Sequence, residues 1–588
     1  MPATPFSLYD MTVATVCDFY KYFKQDLRLI PETVLFDICI TLYKQGRIYT
    51  LCIELRDLTT FSKMLKLTKN RVMLIKCFQA LMEHETGIAK GLIGSYKLRC
   101  EYFKLEDSNE NVAFSIIDQG LKLGGFLSDA SWYHESCEVL EACQEVCLAV
   151  PENPSSLMRS LDCCHKLLHA QIIYSLCDKA TKTKLLAEEI ISKLKRTNEK
   201  MCLAGIYTQF SIYSFSMSLF DEAYMWSVRS IQELNHNSNS RMVVEALSQA
   251  AKSCVVKRRI SKAESLIRMA VYFAAKVFGK EHPKYAETLL DYGFYLLNSD
   301  AMKDSVTVYE KALSLKEEIF GPRNLQVAIA HEELAYALYV HEYCSGNFNS
   351  AKYHADQSIA LMTALLPPNH LMIASAIRVK ALILEEIALS NISTMPGTHK
   401  LLCEAEKLHK NALRVSLACF GENNVQTAKH YGNLGRLYQT MKKYKEAEAM
   451  HMKAIQLKEK LLGQDDYEVG LSLGHLASLY NYHMKEHRKA EALYIRSINI
   501  SLKLFTESYS GLEYDYRGLL HAYDQLGELD NVINYSELID RWKMLRDERN
   551  ERETAPLALN DIPCTLECMK AIFLDDSTTM VNILELTI

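Results

Sequence analysis

Between Tyr431 and Gly463 the spacing of apolar and small positions describes two helices. Leu434, Gly435 and Tyr438 share one helical face, at offsets of one and four from Leu434. Lys442, Lys443 and Tyr444 make a polar turn. Ala447, His451 and Ala454 then follow at steps of four and three. The small residues Gly435, Ala447 and Ala454 let the two helices approach closely, and Leu434 and Tyr438 fill the space between adjacent pairs. A hairpin of this kind cannot bury its apolar face alone, so copies must stack.

The template recurs. Tyr292, Gly293, Leu296, Ser305, Tyr309 and Ala312 make one copy. Leu334, Ala335 and Leu338 open another, which Ala351, Ala355 and Ser358 complete after a short insertion. Leu476, Ala477 and Tyr480 open a third, with Ala490, Tyr494 and Ser497 following after one inserted residue. Weaker copies run through Phe210 to Ser230 and through Ala250 to Ala270, an early diverged unit covers residues 124–148, and a degenerate unit over residues 514–542 caps the array. The copy after Leu366 carries a loop insertion at residues 389–400, with Pro396-Gly397 as a turn signal. Phe278-Gly279 returns as Phe320-Gly321, Phe420-Gly421 and Leu462-Gly463, and two of those steps are equal at 42 residues. A period in this range marks a solenoid that grips other polypeptides along its concave face.

Composition supports an all-α chain. Only 12 Pro and 22 Gly occur in 588 residues, more than one hydrophobic core normally supports. A net charge of −5 gives no general drive toward nucleic acid. No apolar run approaches the roughly 20 residues that span a bilayer, and Met1 to Asp10 lacks a secretory signal pattern. The reading divides the chain into helical boxes at 1–50, a helical linker or cap at 51–119, the array at 120–545 and a mobile tail at 546–588. Most of the 18 cysteines sit in helical patterns as small hydrophobes. Cys137, Cys143 and Cys147 match no zinc spacing, and neither do Cys163-Cys164 nor Cys564 with Cys568, so no metal site is expected.

The repeat resembles the tetratricopeptide repeat (TPR). Its long spacing, with a polar stretch after Phe-Gly such as Gly279-Lys280-Glu281-His282-Pro283, is similar to the variant of kinesin light chains. The resemblance implies a TPR superhelix in which the first helix of each pair lines a groove. Projected onto this chain, the groove residues are Glu287, Asp291, Glu332, Glu333, Arg378, Lys429, Asn433, Arg436, His475 and Arg517. The projection gives an acidic wall in the middle copies and a basic wall toward the C-terminal end. Such a groove suits a peptide held by a basic side chain and by its free C-terminus.

Two short N-terminal elements carry a second resemblance. Leu8, Thr12 and Val16 follow the spacing of the elongin-binding box of ubiquitin ligase receptors, with Thr12 where Cys is usual. Ile30, Pro31 and Val34, before Phe36, Ile38 and Leu42, resemble the cullin-2 box. Along residues 7–545 the chain is similar to the family of TPR substrate receptors of cullin-2 ligases, most visibly at His282-Pro283-Lys284-Tyr285 and at residues 125–130, 288–298, 379–388, 424–439 and 511–519. The resemblance implies elongins B and C and cullin-2 as partners, and substrates with C-terminal degrons of the Arg-x-x-Gly type. It also implies association with microtubules and with the cytoplasmic tail of the amyloid precursor protein. The places expected are the cytoplasm and nucleus, with peripheral contact to membranes.

No P-loop, Gly-x-Gly-x-x-Gly, His-Glu-x-x-His or Gly-x-Ser-x-Gly pattern occurs, so neither catalysis nor a cofactor is expected. Two readings stay open, a ligase receptor and a transport adaptor for microtubule motors. The adaptor reading calls for a heptad coiled coil, and residues 1–120 show no sustained heptads.

Overall fold

The computed structural model describes residues 7–23, 29–84, 86–105, 109–197, 201–235, 237–390, 397–551, 555–558 and 565–575. Among them no strand occurs. Seven helices precede the array: α1 (Leu8–Asp18), α2 (Tyr20–Phe23), α3 (Glu32–Lys44), α4 (Ile48–Leu55), α5 (Leu58–Met64), α6 (Arg71–Glu83) and α7 (Ile88–Leu105). The array follows as α8 (Glu110–Asp129), α9 (Tyr133–Ala149), α10 (Pro154–Ile173), α11 (Cys177–Lys195), α12 (Ala204–Ser216), α13 (Phe220–Glu233), α14 (Ser240–Val256), α15 (Ile260–Phe278), α16 (Pro283–Asn298) and α17 (Met302–Phe320). It continues as α18 (Leu325–His341), α19 (Asn349–Leu365), α20 (Leu371–Ser390), α21 (Thr398–Phe420), α22 (Val425–Thr440), α23 (Tyr444–Leu462), α24 (Tyr467–Ser478), α25 (His487–Leu504), α26 (Gly511–Leu526) and α27 (Leu529–Asn550). Helix α28 (Leu566–Leu574) ends the described chain. From α8 to α27 the helices pair in order into ten antiparallel hairpins, stacked as a right-handed TPR superhelix.

The small residues do what their spacing predicts. A Cβ built on Gly293 would lie 2.7 Å from the Tyr309 ring, and one on Gly435 would lie 2.8 Å from His451. Each glycine therefore lets the two helices of its hairpin touch. The repeated Phe-Gly has a separate cause. Gly279, Gly321, Gly421 and Gly463 end the second helix at φ of 73–90° with extended ψ, a region closed to other residues. The residue inserted after Tyr480 is absorbed in a π-helical turn, Leu479–Met484, where buried Asn481 donates to the Gly518 carbonyl at 2.8 Å.

The hairpins wind into two stacked turns of five. Every turn of hairpins one to five has a residue in the left-handed region: Ser131, Ser175, Ser218, Arg258 and Asp300. Each of these turns docks on the start of the first helix five hairpins later. Asn324 donates to the Ala130 carbonyl at 3.3 Å, His370 meets the Tyr174 carbonyl at 3.1 Å, and Asn424 donates to the Met217 carbonyl at 2.9 Å. Arg258 lies 4.1 Å over the Tyr467 ring, and Asp300 accepts from the Ser510 hydroxyl at 2.6 Å. This seam closes the groove into a lumen.

The N-terminal helices brace both turns. Phe61, Phe78 and Phe126 form an aromatic cluster that joins α5 and α6 to α8, and Gln79 of α6 reaches the Arg323 carbonyl at 3.1 Å. The first hairpin begins with α8, ahead of the array start expected at 120. The expected tail also differs. Helix α27 runs to Asn550, and its Arg549 donates to Asp300 at 3.2 Å. Met569 and Phe573 of α28 are buried against α13 and α15, with Phe573 5.8 Å from the Tyr224 ring. Apolar Met569 and Phe573, four residues apart, give that segment a face to bury. Residues 391–396 of the expected insertion, Cys564 and residues 576–588 lie outside the described residues.

Candidate functional site

The first helices of the hairpins carry their charged faces into the lumen. In the upper turn a cavity of about 300 Å³ is lined from α6, α8, α9, α10, α12, α14, α16, α17 and α18. Its charges are paired in a chain. Asp129 sits between Arg71 at 3.1 Å and Arg241 at 2.8 Å, and Arg241 also meets Glu245 at 2.9 Å. Glu245 and Glu287 share Lys284 at 2.8 and 2.7 Å, and Asp291 pairs with Lys252 at 3.0 Å. Burial works against the Asp129 carboxylate, yet the two arginines hold its pKa well below the usual range. Lys316 is 1% exposed and donates to Gln326. Burial lowers its ammonium to about 8, with Glu287 and Asp291 opposing the drop.

Further along the lumen Glu333 accepts from the Tyr309 hydroxyl at 3.4 Å, and Glu332 accepts from Ser375. Burial, with Glu333 adding to it, pushes Glu332 up to about 7. Burial also raises Glu333, while Lys252 and Arg378 oppose the rise. Arg378 lies 5.6 Å over the Tyr336 ring and makes no ion pair among the described residues. Asp291, Glu332, Glu333 and Arg378 therefore share one electrostatic neighbourhood.

Three of the other projected residues, Arg436, Lys429 and Arg517, are already engaged. Arg436 donates to Glu386 at 3.0 Å, Glu385 at 3.2 Å and the Tyr339 hydroxyl at 3.3 Å. Lys429 pairs with Glu468 at 2.9 Å, and exposed Arg517 pairs with Glu513 at 2.7 Å on its own helix. His475 lies 6.2 Å from both the His451 and Tyr514 rings, and Asn433 is half-buried on α22. The expected separation into an acidic and a basic wall gives way to interleaved signs. Residues outside the projection cause this: Lys252, Lys284, Lys316, Glu385, Glu386 and Glu468. Of these only Lys316 lies on a second helix, where no groove offset points to it. Its burial among charged neighbours was not readable from spacing.

A second feature lies at the N-terminus. Ser7 caps α1 and accepts from the Asp10 amide at 3.1 Å, which fixes the helix start. Val13 and Cys17 bury against α3, so the opposite face is turned outward. On it Leu8 is 81% exposed and Thr12 is exposed, with its hydroxyl bonded to the Leu8 carbonyl at 2.7 Å. Val16 is half-buried against the core. Pro31 stands at the N-cap of α3, one position before the first helical turn, and is exposed, while Ile30 and Val34 pack partly into the core. Met11, Phe19, Tyr22, Leu29 and Tyr49 add exposed apolar surface to this unit.

Residues 402–460 match the tetratricopeptide repeat family. Amyloid protein-binding protein 2 of Rattus norvegicus is 45% identical over 570 residues, which cover 97% of each chain. Its counterpart in Mus musculus is 46% identical over 545 residues, or 93% of this chain and 92% of the mouse protein. Among solved structures, a Rap protein complexed with competence and sporulation factor aligns with a TM-score of 0.48 at 14% identity, over 66% of this chain and 98% of that one.

Proposed function

The chain belongs to the family of amyloid protein-binding protein 2, and we propose from that premise that it is the substrate-recognition subunit of a cullin-2 ubiquitin ligase containing elongins B and C. The observation that carries the proposal is the free face of α1. Leu8 and Thr12 stand in solvent at box spacing, while Val13 and Cys17 hold the helix to α3. Exposed leucine, methionine and aromatic side chains grouped on one unit mark a protein-binding surface. In this reading Leu8, Thr12 and Val16 meet an elongin, and Ile30, Pro31 and Val34 direct cullin-2 to the start of α3.

The lumen then takes the substrate. A degron of the Arg-x-x-Gly type offers one guanidinium and one terminal carboxylate. The guanidinium suits Glu332 and Glu333, which form no ion pair among the described residues, with Asp291 already held by Lys252 beside them. The carboxylate suits Arg378, which pairs with no acid among the described residues, and the Lys316 ammonium. Arg436, Lys429 and Arg517 are satisfied by acids of this chain and serve to set the wall. The protein performs no bond chemistry itself in this reading. It raises the effective concentration of a substrate lysine beside the ubiquitin-loaded enzyme that its partners carry. Work in the cytoplasm and nucleus, with contacts to microtubules, membranes or the amyloid precursor protein tail, belongs to the same proposal.

Affinity purification from cell extract tests the assembly. Leu8→Asp places a charge in an apolar contact and should lose elongins B and C together with cullin-2. Pro31→Asp should keep the elongins and lose cullin-2. Wild-type recovery of elongins with Leu8→Asp, or recovery of kinesin heavy chain in their place, would favour a transport adaptor.

A further inference from the structure

Cys143 and Cys147 lie one turn apart on α9, and Cys163 faces them from α10. Their three sulfur atoms all lie within 4.8 Å of one another. Among the described residues no other three cysteine, histidine or carboxylate side chains converge in this way. The spacing of Cys143 and Cys147 alone gives no ligand pattern. The third thiol comes from the next hairpin, and only the packing of α9 on α10 supplies it.

The site is enclosed. Cys143 and Cys163 are fully buried and Cys147 is 5% exposed. The Cys143 thiol points to the Ile117 carbonyl at 3.6 Å, and the Cys163 thiol to the Leu140 carbonyl at 3.4 Å. Three sulfurs on a pyramidal three-coordinate centre, at a bond length of about 2.3 Å and angles of roughly 95°, stand about 3.4 Å apart, so side-chain rotations that draw the sulfurs together by up to about 1.4 Å close the set. Zinc would need a fourth ligand, and among the described residues no fourth cysteine, histidine or carboxylate joins the group. A divalent or monovalent ion on three thiolates would also leave net negative charge in an apolar interior, which is costly. A trivalent, three-coordinate thiophile leaves none.

We infer that Cys143, Cys147 and Cys163 form a trithiol site for one trivalent arsenic, joining the first hairpin of the array to the second. Arsenous acid is the reacting form. Three As–O bonds break and three As–S bonds form, and each thiol proton leaves with a hydroxide as water. No electrons are transferred, and both the reactants and the product are neutral. The neutral acid enters by Cys147, the least buried of the three, near the C-terminal end of α9.

The test uses the full chain with exposed Cys202→Ser and Cys568→Ser, incubated with sodium arsenite. Native mass spectrometry should find one arsenic retained per chain, with the loss of three hydrogens. X-ray absorption at the arsenic edge should find three sulfur neighbours, and the melting temperature should rise with arsenite. Cys163→Ala and, separately, Cys147→Ser should weaken retention at least tenfold. Zinc chloride should give no stoichiometric binding. Retention unchanged in Cys163→Ala, two sulfur neighbours, or no retained arsenic would overturn the site. If either variant is unfolded by circular dichroism, cysteine alkylation of the arsenite-loaded parent decides: protection at any set other than these three overturns it.

Discussion

Gly435 has space for a hydrogen and no more, because the His451 ring lies where a side chain would start. Gly435→Leu should therefore destabilise by at least about 1–3 kcal/mol through overpacking. Calorimetry reads this as a lower melting temperature, and an unchanged value would contradict the contact. His451 itself is fully buried with both ring nitrogens unpaired, and nearby His430 leaves Nδ1 unpaired. Burial lowers both rings to about 3, and Arg436 and Arg378 respectively add to the drop. The unfolded chain takes up protons at these rings below about pH 6.5, whereas the folded chain stays neutral until about 3. Their contribution is thus complete above about 6.5 and is lost as pH falls toward 3. Each ring should cost about 1.4 kcal/mol per pH unit within that window. Melting curves from pH 7.5 to 4.5 should fall less steeply for His451→Leu than for the parent chain, and parallel curves would refute the assignment.

At the scale of elements, the seam between turns depends on single turn residues. Asp300 is 5% exposed and takes Ser510 through both its amide and hydroxyl, along with Arg546 and Arg549 of α27. Removing it leaves two partly buried guanidinium groups without their acid. Asp300→Ala should cost about 2–3 kcal/mol, reduced from the fully buried case because Arg549 keeps solvent contact. The loss should be local. Hydrogen exchange should quicken in α26 and α27 while α8 to α13 keep their protection, since solenoid stability passes between neighbours. Uniform exchange in all ten hairpins would show that the seam carries no separate energy.

At the scale of the molecule, five hairpins per turn and a seam at every turn make a closed lumen with interleaved charges. If a free C-terminus is read there, amidation of an Arg-x-x-Gly peptide should weaken binding at least ~10-fold, the equivalent of one charge-assisted hydrogen bond. Arg378→Ala should abolish most of that difference, whereas Arg517→Ala should leave it intact, because Arg517 is exposed and paired on its own helix. Glu332→Ala with Glu333→Ala should remove the preference for Arg over a neutral residue. Titration calorimetry with the acid and amide peptides decides this, and equal affinities would exclude C-terminal recognition.

Helix pairs, their period and their crossing glycines follow from local rules. The apolar spacing around Gly293 and Gly435 identifies hairpins, and Phe-Gly marks helix ends, because both depend on neighbours a few residues away. Asp291, Glu332, Glu333 and Arg378, projected from their offsets, lie in one electrostatic neighbourhood. The sequence alone could not say which charges remain available. Arg436 meets Glu385 and Glu386 from the preceding hairpin, and Lys429 meets Glu468 from the following one. Those pairs depend on the rotation between hairpins, a small angle fixed by side-chain packing and repeated at every step. The same accumulated rotation brings Asp300 to Ser510 and closes the groove. It is a long-range outcome, and no spacing within one repeat encodes it. Cys163 reaches Cys143 and Cys147 for a related reason: the partner lies across a helix contact, where tertiary packing sets the distance.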